Sequence, residues 1–231
     1  LLLWGFTTAQ AQVTNYTFSA AAGTYTEISG GTVHATGTGI GNTEYALALP
    51  FNFPFHNLTY LAGGNIGVNV NGFVTMGTGY AGQSAPLTSL AVPTIAGWAG
   101  RLTGNASGEL RSETTGAIGN RILTIQWKNF TRGSAANQSN DVFNFQIKMY
   151  ETGRIDIVYG SFVVFTEVGG QVGVSDGVSR LAVTARAMLS PFDRPTMSTA
   201  SSNIESIASP NWVPATAQLY SFIRSVAQTT L

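Results

Sequence analysis

The chain has 231 residues and a mass of 24.3 kDa, room for one large β domain and cramped for two. Charged residues make up only 10%, well under the roughly 25% of an average soluble domain, and 11 basic side chains balance 11 acidic ones. With two lysines (Lys128 and Lys148) and scattered arginines, nucleic acid has no electrostatic handle, and the absence of cysteine removes thiol catalysis and Cys-ligated zinc or iron–sulfur chemistry.

The N-terminal stretch Leu1-Leu-Leu-Trp-Gly-Phe6 is apolar, and Ala9-Gln-Ala11 fits the small-x-small pattern that precedes a cleavage point. Residues 1–11 therefore read as the remnant of a secretory signal peptide, with the mature chain starting at Gln12. No other stretch approaches the ~20 apolar residues that span a bilayer, so no membrane span is expected. The expected location is extracellular or at the cell surface.

Strand-like runs follow almost without interruption. Residues 13–19 and 24–29 come first, then a Gly/Thr-rich loop over 30–41 and an extended run over 45–55, where Pro50 and Pro54 suggest an edge or bulged path. Residues 66–70 and 73–76 flank Asn71-Gly72, a strong two-residue hairpin signal. A polar loop over 77–93 precedes the short apolar piece at 95–98 and a strand at 109–114. Residues 121–130, 142–150 and 155–159 form three consecutive antiparallel strands with period-two alternation. In these strands Leu123, Ile125, Trp127, Phe143, Phe145, Ile147 and Met149 face a core. The opposite face carries Gln126, Lys128, Asn144, Gln146 and Lys148 and is expected to meet water. Further strands are expected at 171–175, 181–186 and 218–223, with a long loop over 191–214 and no convincing helix. The fold class is all-β: one antiparallel β-sandwich or jelly-roll-like domain over 12–223, with 224–231 as a tail or linker.

Several motifs carry possible chemistry. Gly173-Val-Ser-Asp-Gly177 matches G-x-S-x-G, but its flanks read as strands where a nucleophile elbow needs strand–turn–helix. Gly77-Thr-Gly-Tyr-Ala-Gly82 matches G-x-G-x-x-G, but no helix opens at the third glycine and the next carboxylate is Glu109. Glu109, Arg111 and Glu113 share a strand face and read as local ion pairs instead of a glycoside-cleaving carboxylate pair. His34 and His56 have no metal-ligand neighbours in sequence. Asp141, Asp156, Asp176 and Asp193 are too dispersed for a calcium loop, so no metal, cofactor or catalytic residue is assigned. Five sequons begin at Asn15, Asn57, Asn105, Asn129 and Asn137, in a chain rich enough in Asn, Ser and Thr to produce them by chance.

Aromatic rings in irregular segments suit the flat faces of sugars. Trp98, Trp212 and Tyr80 are accordingly the candidate ligand contacts. Trp127 alternates with Leu123 and Ile125 and reads as core.

Several stretches together resemble one family. They are Gly67-Val-Asn-Val-Asn-Gly-Phe-Val-Thr-Met-Gly77, Gly108-Glu-Leu-Arg111, Asn120-Arg-Ile-Leu-Thr-Ile-Gln-Trp-Lys-Asn129 and Phe145-Gln-Ile-Lys-Met-Tyr-Glu-Thr-Gly-Arg-Ile-Asp-Ile-Val-Tyr-Gly160. The resemblance is to secreted β-sandwich modules of Bacteroidetes-type surface proteins, often found with fibronectin type III repeats and type IX secretion sorting domains. It covers residues 16–222 and implies fold more than activity. Where such modules often carry Trp-Asp-Asp-Leu, this chain has Trp98-Ala-Gly-Arg-Leu102, so an acidic or metal role there lapses. The resulting expectation is a non-catalytic module for adhesion or ligand binding, with a glycan or surface protein as partner. Its binding loops would lie at 77–93, 99–108, 131–140 and 191–214. The alternative is a self-associating subunit of a filament or surface layer, since few charges guard its strand edges.

Overall fold

A computed structural model describes residues 16–134, 137–138, 140–163, 170–184, 196–198 and 216–224. The expected signal peptide, Trp212 and Asp193 lie outside these residues.

Among the described residues, seventeen strands and one helical turn follow in chain order. The first five strands are β1 (Tyr16–Ala22), β2 (Thr32–Thr36), β3 (Glu44–Ala48), β4 (Phe53–Phe55) and β5 (Leu58–Tyr60). β6 (Asn65–Asn69), β7 (Phe73–Thr75), α1 (Pro86–Ser89), β8 (Pro93–Ala99) and β9 (Leu102–Thr115) come next. They are followed by β10 (Ile122–Ser134), β11 (Asn137–Gln138), β12 (Val142–Tyr150) and β13 (Ile155–Val163). The last are β14 (Gln171–Asp176), β15 (Arg180–Thr184), β16 (Thr196–Ser198) and β17 (Gln218–Arg224).

Among the described residues, two large antiparallel sheets and the separate two-stranded β4–β5 sheet result. The first has the order β1-β17-β13-β12-β10-β9-β2, with β11 paired to β10; the second has the order β16-β15-β14-β8-β7-β6-β3. The sandwich expectation is met. The three consecutive strands anticipated around residues 122–159 are β10, β12 and β13, and they lie side by side at the centre of the first sheet.

The core lies between the sheets. Trp127 stacks on Phe145 across β10 and β12, with ring centroids 4.9 Å apart and planes 9° from parallel. Two polar atoms on aromatic rings reach across the core to the other sheet: Trp127 Nε1–H donates to the Asn69 carbonyl at 3.2 Å, and Tyr159 O–H to the Gly97 carbonyl at 2.5 Å. A buried ring keeps its polar atom only if that atom is paired, so these two bonds also fix how the sheets face each other. The β4–β5 hairpin plugs one end, burying Phe53 and Phe55 beside Phe51.

The outward faces differ from expectation. Gln126 and Gln146 are 0% exposed, and Thr124 and Asn144 are buried too. The cause is the chain between β1 and β2, residues 23–31, expected as a strand followed by a loop. β1 and β2 occupy opposite edges of the first sheet, so their connection runs across its outer face as a strap. Its residues meet the strands in sheet order: Gly23 beside Leu219 on β17, Tyr25 on Gly160 of β13, Thr26 on Gln146 of β12, Glu27 and Ile28 on β10, Ser29 and Gly30 on β9. Period-two alternation identified the two faces correctly, but not that both are covered.

Smaller differences have local causes. The extended run at 45–55 divides into β3 and β4 around Pro50, which lacks the N–H a ladder requires. β10 runs past its expected end at Phe130 to Ser134, after a bulge at which Asn129 takes a positive φ of 53° and pairing resumes at Phe130. Residues 102–108 and 131–134, expected as loops, are parts of β9 and β10.

Trp127→Ala should lower unfolding free energy by about 3–5 kcal/mol, the usual cost of emptying a buried aromatic site. Urea unfolding checks this; a loss below about 1 kcal/mol would mean that the Trp127–Phe145 stack does not organise the core.

Candidate functional site

The second sheet is also covered. Residues 77–92 leave β7, cross the outer face and return to β8, with α1 on the way. Phe73, Leu87, Ala96 and Ala99 form a separate apolar cluster beneath α1. The glycine-rich part, residues 77–84, has no such apolar anchor and is held by polar side chains.

Glu44 on β3 accepts from the backbone N–H groups of Gly79 at 2.6 Å and Tyr80 at 2.9 Å, one with each carboxylate oxygen. Asn69 on β6 donates to the Tyr80 carbonyl at 2.8 Å and accepts from Asn71 N–H at 2.9 Å. Asn71 donates to the Gln83 carbonyl at 2.6 Å and accepts from Leu102 N–H at 3.1 Å. Further along, Gln171 on β14 accepts from Leu87 N–H at 2.8 Å and donates to Thr88 Oγ1 at 2.9 Å. An irregular segment cannot satisfy its own backbone groups, so each one buried needs a partner from elsewhere. These four side chains supply them.

The β6–β7 turn places Asn69 and Asn71. Gly72 has a φ of 90°, and a Cβ there would sit 2.1 Å from the Trp98 carbonyl oxygen, so the Asn71-Gly72 turn tolerates only glycine at its second position. Sequence reading found this turn but missed Glu44, Asn69, Asn71 and Gln171 as a group. The available signal was the choice of amides at Asn69 and Gln171, outward strand positions where charged or hydroxyl side chains are usual.

The aromatic candidates separate. Tyr80 lies half-buried within the clamped loop, its backbone held on both sides. Trp98, by contrast, is 1% exposed: its ring packs on Phe143 and Phe162, with Gly170 against one face. It fills core space on the inner side of β8 and presents no ring face to solvent, which corrects the expectation of a surface platform at this position. Trp212 lies outside the described residues.

The motif residues also find their places. Ser175 is the penultimate residue of β14, where its hydroxyl donates to the Ser179 carbonyl at 3.2 Å and accepts from Gly177 N–H at 3.0 Å. The context is strand–turn–strand, with Asp176 Oδ1 capping Val178 and Ser179 N–H. Glu109 and Arg111 form a bidentate pair at 2.7 and 2.8 Å, which lowers the Glu109 pKa, and Arg111 also donates to the Ser29 and Gly30 carbonyls of the strap. Asp156 accepts from Tyr150, Arg154 and Ser221, and Asp141 pairs with Arg132. Among the described residues no three His, Asp or Glu side chains come together as a metal site.

His56 is the unusual titratable group. It turns the β4–β5 hairpin with a φ of 52°, and its ring is buried between Tyr16 and Phe55 with neither nitrogen hydrogen-bonded. Burial lowers its pKa, against the nearby Ser175 backbone and Asp176 carboxylate and together with the repelling Arg224. His34, against Ser112 Oγ at 2.8 Å, is lowered by burial as well.

These parts define an all-β module with both sheet faces covered and one exposed, polar-clamped loop. Residues 15–224 match the family described as NIDO related, and the chain belongs to that family, a module of extracellular type. No curated protein and no solved structure matches it. No helix among the described residues is long and apolar enough to cross a membrane.

Two predictions follow from this geometry. Asn71→Leu strands the Leu102 N–H and the Gln83 carbonyl and should cost about 1–3 kcal/mol; it should also speed proteolysis within residues 77–84, and a cleavage rate equal to wild type would refute the clamp. For pH, a histidine held below its unfolded value of 6.5 stabilises the fold above that pH and loses the contribution as pH falls through the folded pKa. Midpoints of thermal unfolding should therefore drop between pH 7 and 5, above the range where the depressed carboxylates Glu109 and Glu151 begin to act. The drop should shrink in His56→Phe; an identical pH profile would show that His56 is not responsible.

Proposed function

We propose that this NIDO-related chain is a non-catalytic extracellular binding module. Its ligand surface is centred on the clamped loop of residues 77–84, with Tyr80 as its aromatic contact. The observation that carries this reading is the commitment of Glu44, Asn69 and Asn71 to fixing an exposed loop that contributes little apolar burial of its own. A preorganised loop loses less entropy on binding than a free one, and loops on rigid sheets are where such folds carry recognition. A glycan fits the chemistry offered: one aromatic ring, exposed glycine and serine backbone, and amide side chains beneath, with no cationic cluster. The sequence resemblance supports a bacterial cell-surface setting and an adhesive role.

A second reading, self-association of the module, is favoured by its outermost strands. β1 (Tyr-Thr-Phe-Ser-Ala-Ala-Ala) and β2 (Thr-Val-His-Ala-Thr) carry no charged side chain to discourage pairing.

A glycan array probed with the wild-type chain and Tyr80→Ala tests the first reading. The expected result is a restricted set of bound glycans whose signal falls at least tenfold in the variant. Binding unchanged in Tyr80→Ala would reject the loop as the contact surface.

A further inference from the structure

The strap over the first sheet is long, extended and lightly held. From β1 to β2 are six interstrand steps of about 4.8 Å, or about 29 Å. The nine residues 23–31 provide ten Cα–Cα steps, which reach only about 33–36 Å fully extended. About 4–7 Å is left over, one to two residues of chain. Most strap side chains are exposed, with Tyr25 and Ile28 turned toward the sheet.

Its fastening is also incomplete. Gln146 Nε2–H donates to the Thr26 carbonyl and to Gln126 Oε1, and Gln126 Oε1 accepts from Ile28 N–H. That leaves Gln126 Nε2, Gln146 Oε1 and the Tyr25 hydroxyl buried without a hydrogen-bond partner. The edge strand preceding the strap depends on the far end of the chain: β1 pairs only with β17, in the register Tyr16↔Arg224. During folding, the first strand and the strap have no complete receptor until the last strand is in place. Such a segment can be completed by another chain in the meantime.

We propose that residues 16–31, β1 together with the strap, exchange between two copies of this chain, each laying its strap across the other's first sheet and its β1 against the other's β17. The hinge is Gly30-Gly31, at the β2 edge. Gly31 has a φ of 73°, and Arg111 grips the carbonyls just before it. Every contact of the exchanged segment is regained in the exchanged form, and a short hinge under tension favours the form in which it opens. The uncharged β2 edges, next to both hinges, face each other in such a dimer without like-charge repulsion. This deepens the self-association reading and rests on it.

The test uses the exposed pair Glu27 and Lys128, whose side chains meet at 2.5 Å within one closed chain. The chain has no cysteine, so Glu27→Cys and Lys128→Cys each introduce a single thiol. The two single variants are mixed, unfolded, refolded together over a range of concentrations and treated with a short bismaleimide. Wild type refolded in parallel is sized by light scattering. The expected result is a covalent heterodimer, absent from either variant alone, whose yield rises with concentration. A chain with two glycines inserted after Gly30 should give a dimer fraction at least threefold lower. A wild-type dimer with no heterodimer crosslink would overturn exchange and leave self-association standing. Monomer at every concentration would overturn both, and a dimer fraction insensitive to the insertion would overturn the tension that drives exchange.

Discussion

The structure depends on hydrogen-bonding buried backbone that belongs to no ladder. Two irregular segments, residues 23–31 and 77–92, lie on the outer faces of the two sheets, and water is excluded from part of their main chain. An unpaired amide or carbonyl in that position costs about 1–3 kcal/mol. The sheets therefore present Gln126 and Gln146 to one segment, and Glu44, Asn69, Asn71 and Gln171 to the other. Five of these six side chains are amides, which suit the task because each supplies both a donor and an acceptor and carries no charge whose burial would need compensation, whereas the Glu44 carboxylate only accepts, from two N–H groups. Outward positions that would meet water on a bare sheet here serve as hydrogen-bonding sockets.

This also explains what could be read in the sequence. Alternation at Leu123, Ile125, Trp127, Phe143, Phe145 and Ile147 reports which side of each strand is apolar, and that side is the core. The Asn71-Gly72 turn was legible because its backbone conformation excludes a side chain at the second position. The fate of the polar side was not legible. Period two says that Gln126 and Gln146 face away from the core, but whether they meet water or a crossing segment depends on where β1 and β2 dock, and those strands join opposite edges of the sheet. That information is topological and has no local pattern. For the same reason residues 24–29 looked like a strand: they are extended, but they run across the ladder instead of within it.

The candidate site was partly visible. The glycine-rich loop and Tyr80 stood out by composition, whereas its clamp is distributed over β3, β6 and β14, strands far apart in sequence. Trp98 illustrates the reverse error. Its neighbours Gly97, Ala99 and Gly100 suggested an open irregular segment, but these small residues let β8 approach the facing sheet: a Cβ at Gly97 would meet the Phe145 ring at 2.8 Å. Small residues beside a tryptophan here signal close packing, not exposure.

The pairing of Tyr16 with Arg224 has a mechanical consequence. The polypeptide enters and leaves the domain side by side, and His56 braces both points: its N–H donates to the Tyr16 hydroxyl, and its carbonyl accepts from Arg224. Tension applied through the two flanking segments would pull β1 from β17 in unzipping geometry, one hydrogen-bonded pair at a time, and not in shear against all of them together. Within a stretched chain, the domain would act as a fastener that opens early, starting at this corner, while the central strands β10, β12 and β13 lie outside the line of force.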